Sequence, residues 1–250
     1  MKLPSRKYYS IWKDFLCNPF IIFCAVGFVA VHCLFVVFYY QTPDFFKKIN
    51  VEDGPMENGS AIFYLLGAVF FVFVVARSKH WLSRTWAILF ALAFFVLAGE
   101  EVSWGQRLFD YHVDAVEEIN SQGEFNIHNL EQFHAHQWLN APRLLTMGSL
   151  AFGIILPVML TLSKWFQNLL VDTLRFPIPH AVIGICFFLS WMWYRNFYGY
   201  GADDSMLIAV EESRETTIAL GFCLYAFIIF ITNSDSSSRE NAAHTEIVGG

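Results

Sequence analysis

Charge is scarce in this sequence. Only 15% of its 250 residues are Asp, Glu, Lys or Arg, whereas 56% are hydrophobic and 18% aromatic. A soluble domain of that length is closer to a quarter charged, so a water-facing globule is excluded. Cysteine is sparse as well. Cys17 lies in the N-terminal segment, and Cys24, Cys33, Cys186 and Cys223 lie inside apolar runs. No polar loop carries a cysteine, so no disulfide framework is implied. There is no CxxC, no zinc-finger spacing and no Gly-rich phosphate loop. A Gly-x-Ser-x-Gly nucleophile elbow is missing too, which leaves serine hydrolysis of that kind unsupported. The histidines lack the three-box spacing of membrane desaturases and hydroxylases. No organic cofactor and no nucleic-acid partner are expected.

What the sequence does have is apolar runs of membrane-spanning length. They predict an all-α, polytopic membrane helical bundle with about six transmembrane helices: residues 19–40, 61–76, 85–104, 144–162, 180–195 and 212–232. Residues 1–232 read as one integral membrane domain, and the Ser-rich segment 233–250 as a disordered polar tail. The first run is longer than the apolar core of a signal peptide (~7–15 residues), and no small-x-small site follows it, so cleavage is not expected. Before it, Lys2, Arg6, Lys7 and Lys13 alternate with aromatics, as in an interfacial anchor. Gly54-Pro55 is a plausible helix start. Asp203 or Asp204 can cap the last helix. Between the third and fourth spans, residues 126–139 have helical periodicity, which predicts a surface or re-entrant helix.

Six spans place both termini on one side. With that side cytoplasmic, ten of the 16 Lys and Arg residues lie inside, in agreement with the positive-inside rule. The expected location is a bacterial cytoplasmic (inner) membrane. Acids divide more sharply. Of 22, only Asp14, Asp172, Asp235, Glu240 and Glu246 fall inside. The polar chemistry is therefore expected on the non-cytoplasmic face.

One stretch stands out: Ala98-Gly-Glu-Glu-Val-Ser-Trp-Gly-Gln-Arg107, which follows an apolar run without a break. Thr85–Gly99 is 15 residues, or about 22 Å, against a hydrocarbon core of ~30 Å. The helix is thus expected to include Glu100 and Glu101, and ionisable groups at that depth are a functional-site hypothesis by default. Adjacent helical residues point about 100° apart, so at most one carboxylate can face a shared site. The other needs Arg107, Arg195 or a backbone donor. Both can equally be structural, paired with arginines.

Glu57 before the second span and Glu211, Glu212 and Glu215 before the last are expected at the same depth. Glu100, Glu101 and His128 are the catalytic candidates, with Trp104, Gln106, Arg107 and Arg195 as substrate contacts. Glu57, Glu101, His128, Glu211 and Glu215 are the candidate metal ligands. Oxygen and nitrogen donors without thiolates suit a divalent metal: Zn, Mn, Mg or Ca. The bland alternative is that Arg214 and Arg195 neutralise the acids in a structural network and that His128 is a wet interfacial residue. His134 and His136 form a weaker His-x-His, and His112 is weaker still. His32 reads as a core group, and Trp191, Trp193, Tyr194, Phe197, Tyr198 and Tyr200 as an interfacial belt.

Gly99-Glu-Glu-Val-Ser-Trp-Gly-Gln-Arg107 followed by Asn126-Ile-His-Asn129 resembles a family of uncharacterised bacterial multi-pass membrane proteins with G-E-E-x-S-W-G-Q-R and N-x-H-N motifs. That resemblance implies a membrane location and one shared site, and no particular reaction. The match to the alkaline ceramidase and adiponectin-receptor class of zinc hydrolases is poor, because a Ser, Asp and three-His set on seven spans is not found. Three functions compete on these residues. One is a metal-dependent hydrolase or transferase acting on membrane lipids or lipid-linked substrates. Another is a proton- or cation-coupled transporter. The last is a non-catalytic assembly factor docking another membrane protein.

Overall fold

A computed structural model describes residues 19–52, 54–120, 123–127, 130, 140–199 and 203–248, with backbone only at 107, 108 and 233–248. Five helices are long and apolar enough to cross a membrane: α1 (Pro19–Gln41), α3 (Pro55–Arg77), α4 (Trp81–Glu101), α5 (Ala141–Leu162) and the Asp204–Thr232 portion of α7 (Asp204–Val248). A short α2 (Pro43–Ile49) follows α1, and the 17-residue α6 (Ala181–Phe197) packs along α1 and α7. Among the described residues there is no strand. The chain is a multi-pass membrane protein of the all-α bundle class. In lipid every backbone polar group must be bonded within its own helix, and apolar side chains can stay on the outer surface. Phe23 and Leu92 accordingly remain 74% and 57% exposed.

Helix starts follow local chemistry. Pro43 and Pro55 sit in first turns, where a missing N–H costs nothing. His80 and His180 accept from the backbone N–H groups of Leu82 and Val182 through Nδ1. Histidine is an unusual cap, so α4 begins at Trp81, four residues before its expected start. α3 begins at Pro55, the helix start expected of Gly54-Pro55, and its first six residues precede the apolar stretch 61–76. The structure continues α7 helically to Val248, through the segment whose composition predicts disorder. Extending an existing helix adds one hydrogen bond per residue fixed, without a new nucleation cost.

The core is aromatic. Phe71 stacks on Phe90 at 5.1 Å, and Phe90 meets the edge of Tyr225 at 5.5 Å. Tyr225 donates its hydroxyl to the Pro177 carbonyl at 2.7 Å, which ties the loop before α6 to the bundle. A second cluster joins Phe35, Phe46, Trp193, Met206, Ala209 and Val210. Trp193, expected in an interfacial belt, is in this interior instead, 3% exposed, with Nε1 donating to Ser213 Oγ at 2.8 Å. An indole can be buried when its N–H finds such a partner. His32 is a core group as read, bonded to the Phe28 carbonyl and flanked by Phe28 and Phe35.

Asp203 caps α7 by accepting from the Met206 N–H at 2.9 Å, and Lys47 of α2 donates to it at 2.6 Å. The Lys47 ammonium, with the Ser205 hydroxyl and that N–H, holds the Asp203 carboxyl down at about 2 from 3.8. A depressed acid stabilises the fold above its unfolded value, and that contribution is lost as pH falls through the folded value. The α2–α7 tether is therefore expected to loosen between about pH 4 and 2. Hydrogen exchange across 43–50 should rise over that window in the native chain and stay flat in Asp203→Asn.

Candidate functional site

The ends of α3, α4, α5 and α7 converge at the acidic end of the bundle. Ser60 donates to Thr216 Oγ1 at 3.1 Å, and Thr216 donates to the Met56 carbonyl, also at 3.1 Å. Between these helices lies a cavity of about 380 Å³. Tyr64, Glu101 and Glu215 supply its polar groups alongside Glu100, and Val96, Leu97, Leu144 and Leu145 supply aliphatic wall. Val96 and Leu144 are 43% and 45% exposed, so the aliphatic wall reaches the outer surface of the bundle.

α4 includes both Glu100 and Glu101, and the two carboxylates take different roles. Glu100 is buried. Its Oε1 accepts from Trp104 Nε1 at 2.7 Å and its Oε2 from the Ile127 backbone N–H at 2.6 Å. Glu101 makes no hydrogen bond or ion pair among the described residues. It lies within electrostatic reach of Glu215, Glu57 and Glu100. Glu212 likewise feels Glu215, Glu57, Glu101 and Glu211. Glu215 and Glu211 are instead held by Arg214, which is 1% exposed: Glu211 at 3.3 Å, Glu215 in closer contact. The Arg214 guanidinium also lies 4.4 Å from the centre of the Tyr194 ring.

Beyond Glu101 the chain turns sharply. Ser103, Trp104 and Gly105 have φ of 46°, 54° and 81°. Two non-glycine residues in that left-handed region cost of order 1–3 kcal/mol each, so surrounding contacts must over-determine them. They do. Ser103 Oγ donates to Glu124 Oε2 at 2.5 Å and accepts from Asn126 Nδ2 at 3.1 Å. Gln106 Nε2 donates to Glu117 Oε1, and the Phe125 N–H donates to Gln106 Oε1, both at 2.6 Å. Asn120 Nδ2 donates to the carbonyl and Oδ1 of Asn126, both at 2.9 Å. The Trp104 ring lies flat over Gly99, where an added Cβ would fall 2.8 Å from Cε3, so only glycine admits it. The long motif is thus a clasp that pins residues 117–120 and 123–127 onto the end of α4 and ties up Glu100 while Glu101 is left out of it.

Of the candidate residues, Glu101 lies within electrostatic reach of Glu57 and Glu215, and so does Glu212. Glu100, Trp104 and Gln106 are bonded into the clasp. Glu211 is tied to Arg214. Arg195 is exposed at the end of α6 and makes no ion pair among the described residues. His112 is exposed beside Glu117 at 3.2 Å. His128, Asn129, His134, His136, most of the expected 126–139 helix and the side chain of Arg107 lie outside the described residues. Among the described residues no group of three or more His, Cys, Asp or Glu is disposed to hold a metal ion.

Two participants were missed. Tyr64 stands seven residues after Glu57, two turns further along α3 on the same face, and a lone phenol within an apolar span is a signal that spacing could have flagged. Arg214 was read only as a neutraliser, whereas its full burial sets which acids remain uncompensated. Against protein-family models, characterised proteins and solved structures, the chain shows no match.

Proposed function

We propose that this protein is a membrane-embedded hydrolase or transferase that acts on a lipid or lipid-linked substrate at the non-cytoplasmic face. The observation that carries the reading is the cavity itself: an aliphatic passage from the lipid surface that ends on Glu101, Glu215 and Tyr64. An acyl or prenyl chain fits the wall, and the reacting group meets the polar end. Glu101, without a hydrogen-bonding partner among the described residues, is the general base. It takes the proton of a water or of an acceptor hydroxyl as that oxygen attacks, and returns it to the leaving oxygen or nitrogen. The Tyr64 hydroxyl donates to the oxygen on which charge develops. Arg214 is a positioning residue that holds Glu215. A metal-dependent form of this reading would need Glu57, Glu101, His128, Glu211 and Glu215 as ligands of Zn, Mn, Mg or Ca, a cluster that the described residues among them do not form.

The test is turnover of a bacterial lipid extract by the full chain in nanodiscs, read by mass spectrometry. Glu101→Gln is expected to lower turnover by about 100-fold or more, the usual worth of a general base, with an unchanged thermal melt. Gln106→Leu, in the clasp, should lower the melt and keep turnover in the protein that remains folded. Elemental analysis of both proteins reads the metal. A lipid profile that is the same with native protein, with Glu101→Gln and with no protein overturns the reading.

A further inference from the structure

The charge balance of the cavity carries more than its shape. Tyr64 is fully buried, and its hydroxyl has no hydrogen-bond partner among the described residues. It lines the same cavity as Glu101 and Glu215. A buried phenol normally finds a partner, so an orphan at the end of an open cavity marks a group that a ligand supplies. Tyr64 lies within electrostatic reach of Glu101 and Glu215, and Glu212 lies within reach of both and of Glu211. Among the described residues the cation set beside them is Arg214, already committed to Glu211 and Glu215. An anionic headgroup would meet carboxylates at short range in low dielectric, where repulsion is strong. A protonated amine reverses that sign. It can donate to Glu101 and Glu215 and also to the Tyr64 oxygen, since an ammonium has three N–H donors and no acceptor. The aliphatic wall that leads to these groups requires that the amine be attached to a hydrocarbon chain.

We propose that the cavity between α4 and α5 binds an amine-bearing lipid, its ammonium seated between Glu101, Glu215 and the Tyr64 hydroxyl and its chain lying along Val96, Leu97, Leu144 and Leu145. This rests on the cavity being the substrate site, and it names the headgroup class that the site takes. The ligand's own positive charge, rather than a divalent ion, then offsets the carboxylates. For an enzyme, it makes the amine end of a lipid the part held while a neighbouring bond is cleaved or formed.

The experiment is binding to the full chain in nanodiscs of zwitterionic lipid, by native mass spectrometry and thermal shift. The probes are a long-chain primary alkylamine, the alkyl phosphate and the alcohol of the same length, each with and without added Zn or Mg. The amine is expected to bind and to raise the melt, with the alcohol weaker and the phosphate weakest. Glu101→Gln should weaken the amine by about tenfold or more, as loss of a desolvated charge partner does. Tyr64→Phe, which keeps the ring in the core, should weaken it by a few fold and leave the alcohol unchanged. Phosphate binding that equals or exceeds the amine, or that appears on addition of a divalent ion, overturns the amine assignment and leaves the site reading standing. Equal amine binding by native protein, Glu101→Gln and Tyr64→Phe also overturns it. If no probe binds and Glu101→Gln leaves lipid turnover unchanged, both readings fall.

Discussion

Arg214→Met is expected to destabilise the protein by about 3–5 kcal/mol, the cost of removing one partner of a buried ion pair. The guanidinium is 1% exposed and holds Glu211 and Glu215 together on one side of α7. Without it, two carboxylates remain against each other, and Glu101 and Glu212 add to the repulsion. The stack on Tyr194 is lost as well. Thermal unfolding in detergent reads the effect as a lower melting temperature. Adding Glu211→Gln and Glu215→Gln to Arg214→Met should recover most of it, because replacing a buried pair by neutral groups of similar size is often close to neutral. A single Arg214→Met that melts with the native protein would show that these acids carry no buried charge.

Gly184→Ala is the second large expectation. In α5 the helical ladder widens to a π turn over Ala151–Ile155 just before Pro157, which has no N–H to offer the Gly153 carbonyl. That carbonyl lies against Gly184 of α6, where a Cβ would fall 2.4 Å from the oxygen. A backbone oxygen cannot swing aside as a side-chain tip can, so α5 and α6 must part. Overpacking of this kind costs ~1–3 kcal/mol, and a backbone clash belongs at the upper end. Small residues that let helices approach closely are a main source of association in lipid, where no hydrophobic drive separates helix from tail. Gly148→Ala on the same helix is the control, because nothing lies within 4 Å of its added methyl. It should be neutral or stabilising by about 0.5–1 kcal/mol from helix propensity. Equal melting of the two variants would refute the close approach.

Both expectations depend on facts that differ in how far they can be read from the sequence. The bundle itself is legible, because uniform apolar runs leave the chain no other state in lipid. The motif at Glu100 and Glu101 is legible as a candidate site, and helical geometry already requires that the two acids part company. Which one turns inward is not legible. That is decided by the Ile127 N–H, Glu124 and Asn126, 21 to 27 residues further along than their partners in the motif, and no periodicity announces those pairings. Glu100 does find a backbone donor, one of the partners its position demanded. Trp193 shows the opposite failure. An aromatic cluster at a helix end reads as a belt, and only the Ser213 hydroxyl, one helix away, draws the indole inside. The limits of α4 depend likewise on a histidine cap and a left-handed turn, neither of which hydropathy records.

The shortness of α6 has a consequence for the membrane around it. Its 17 residues reach about 26 Å, some 4 Å less than an average hydrocarbon core of ~30 Å. As a sixth span, α6 would make the bilayer beside it dip, at a cost of a fraction of a kcal/mol for each Å of mismatch. Thinner membranes reduce that cost, so the protein should sort toward short-chain lipid phases and away from thick, ordered ones. The choice of acyl length in a reconstitution thus sets how deeply the headgroup layer reaches toward the carboxylates of α7.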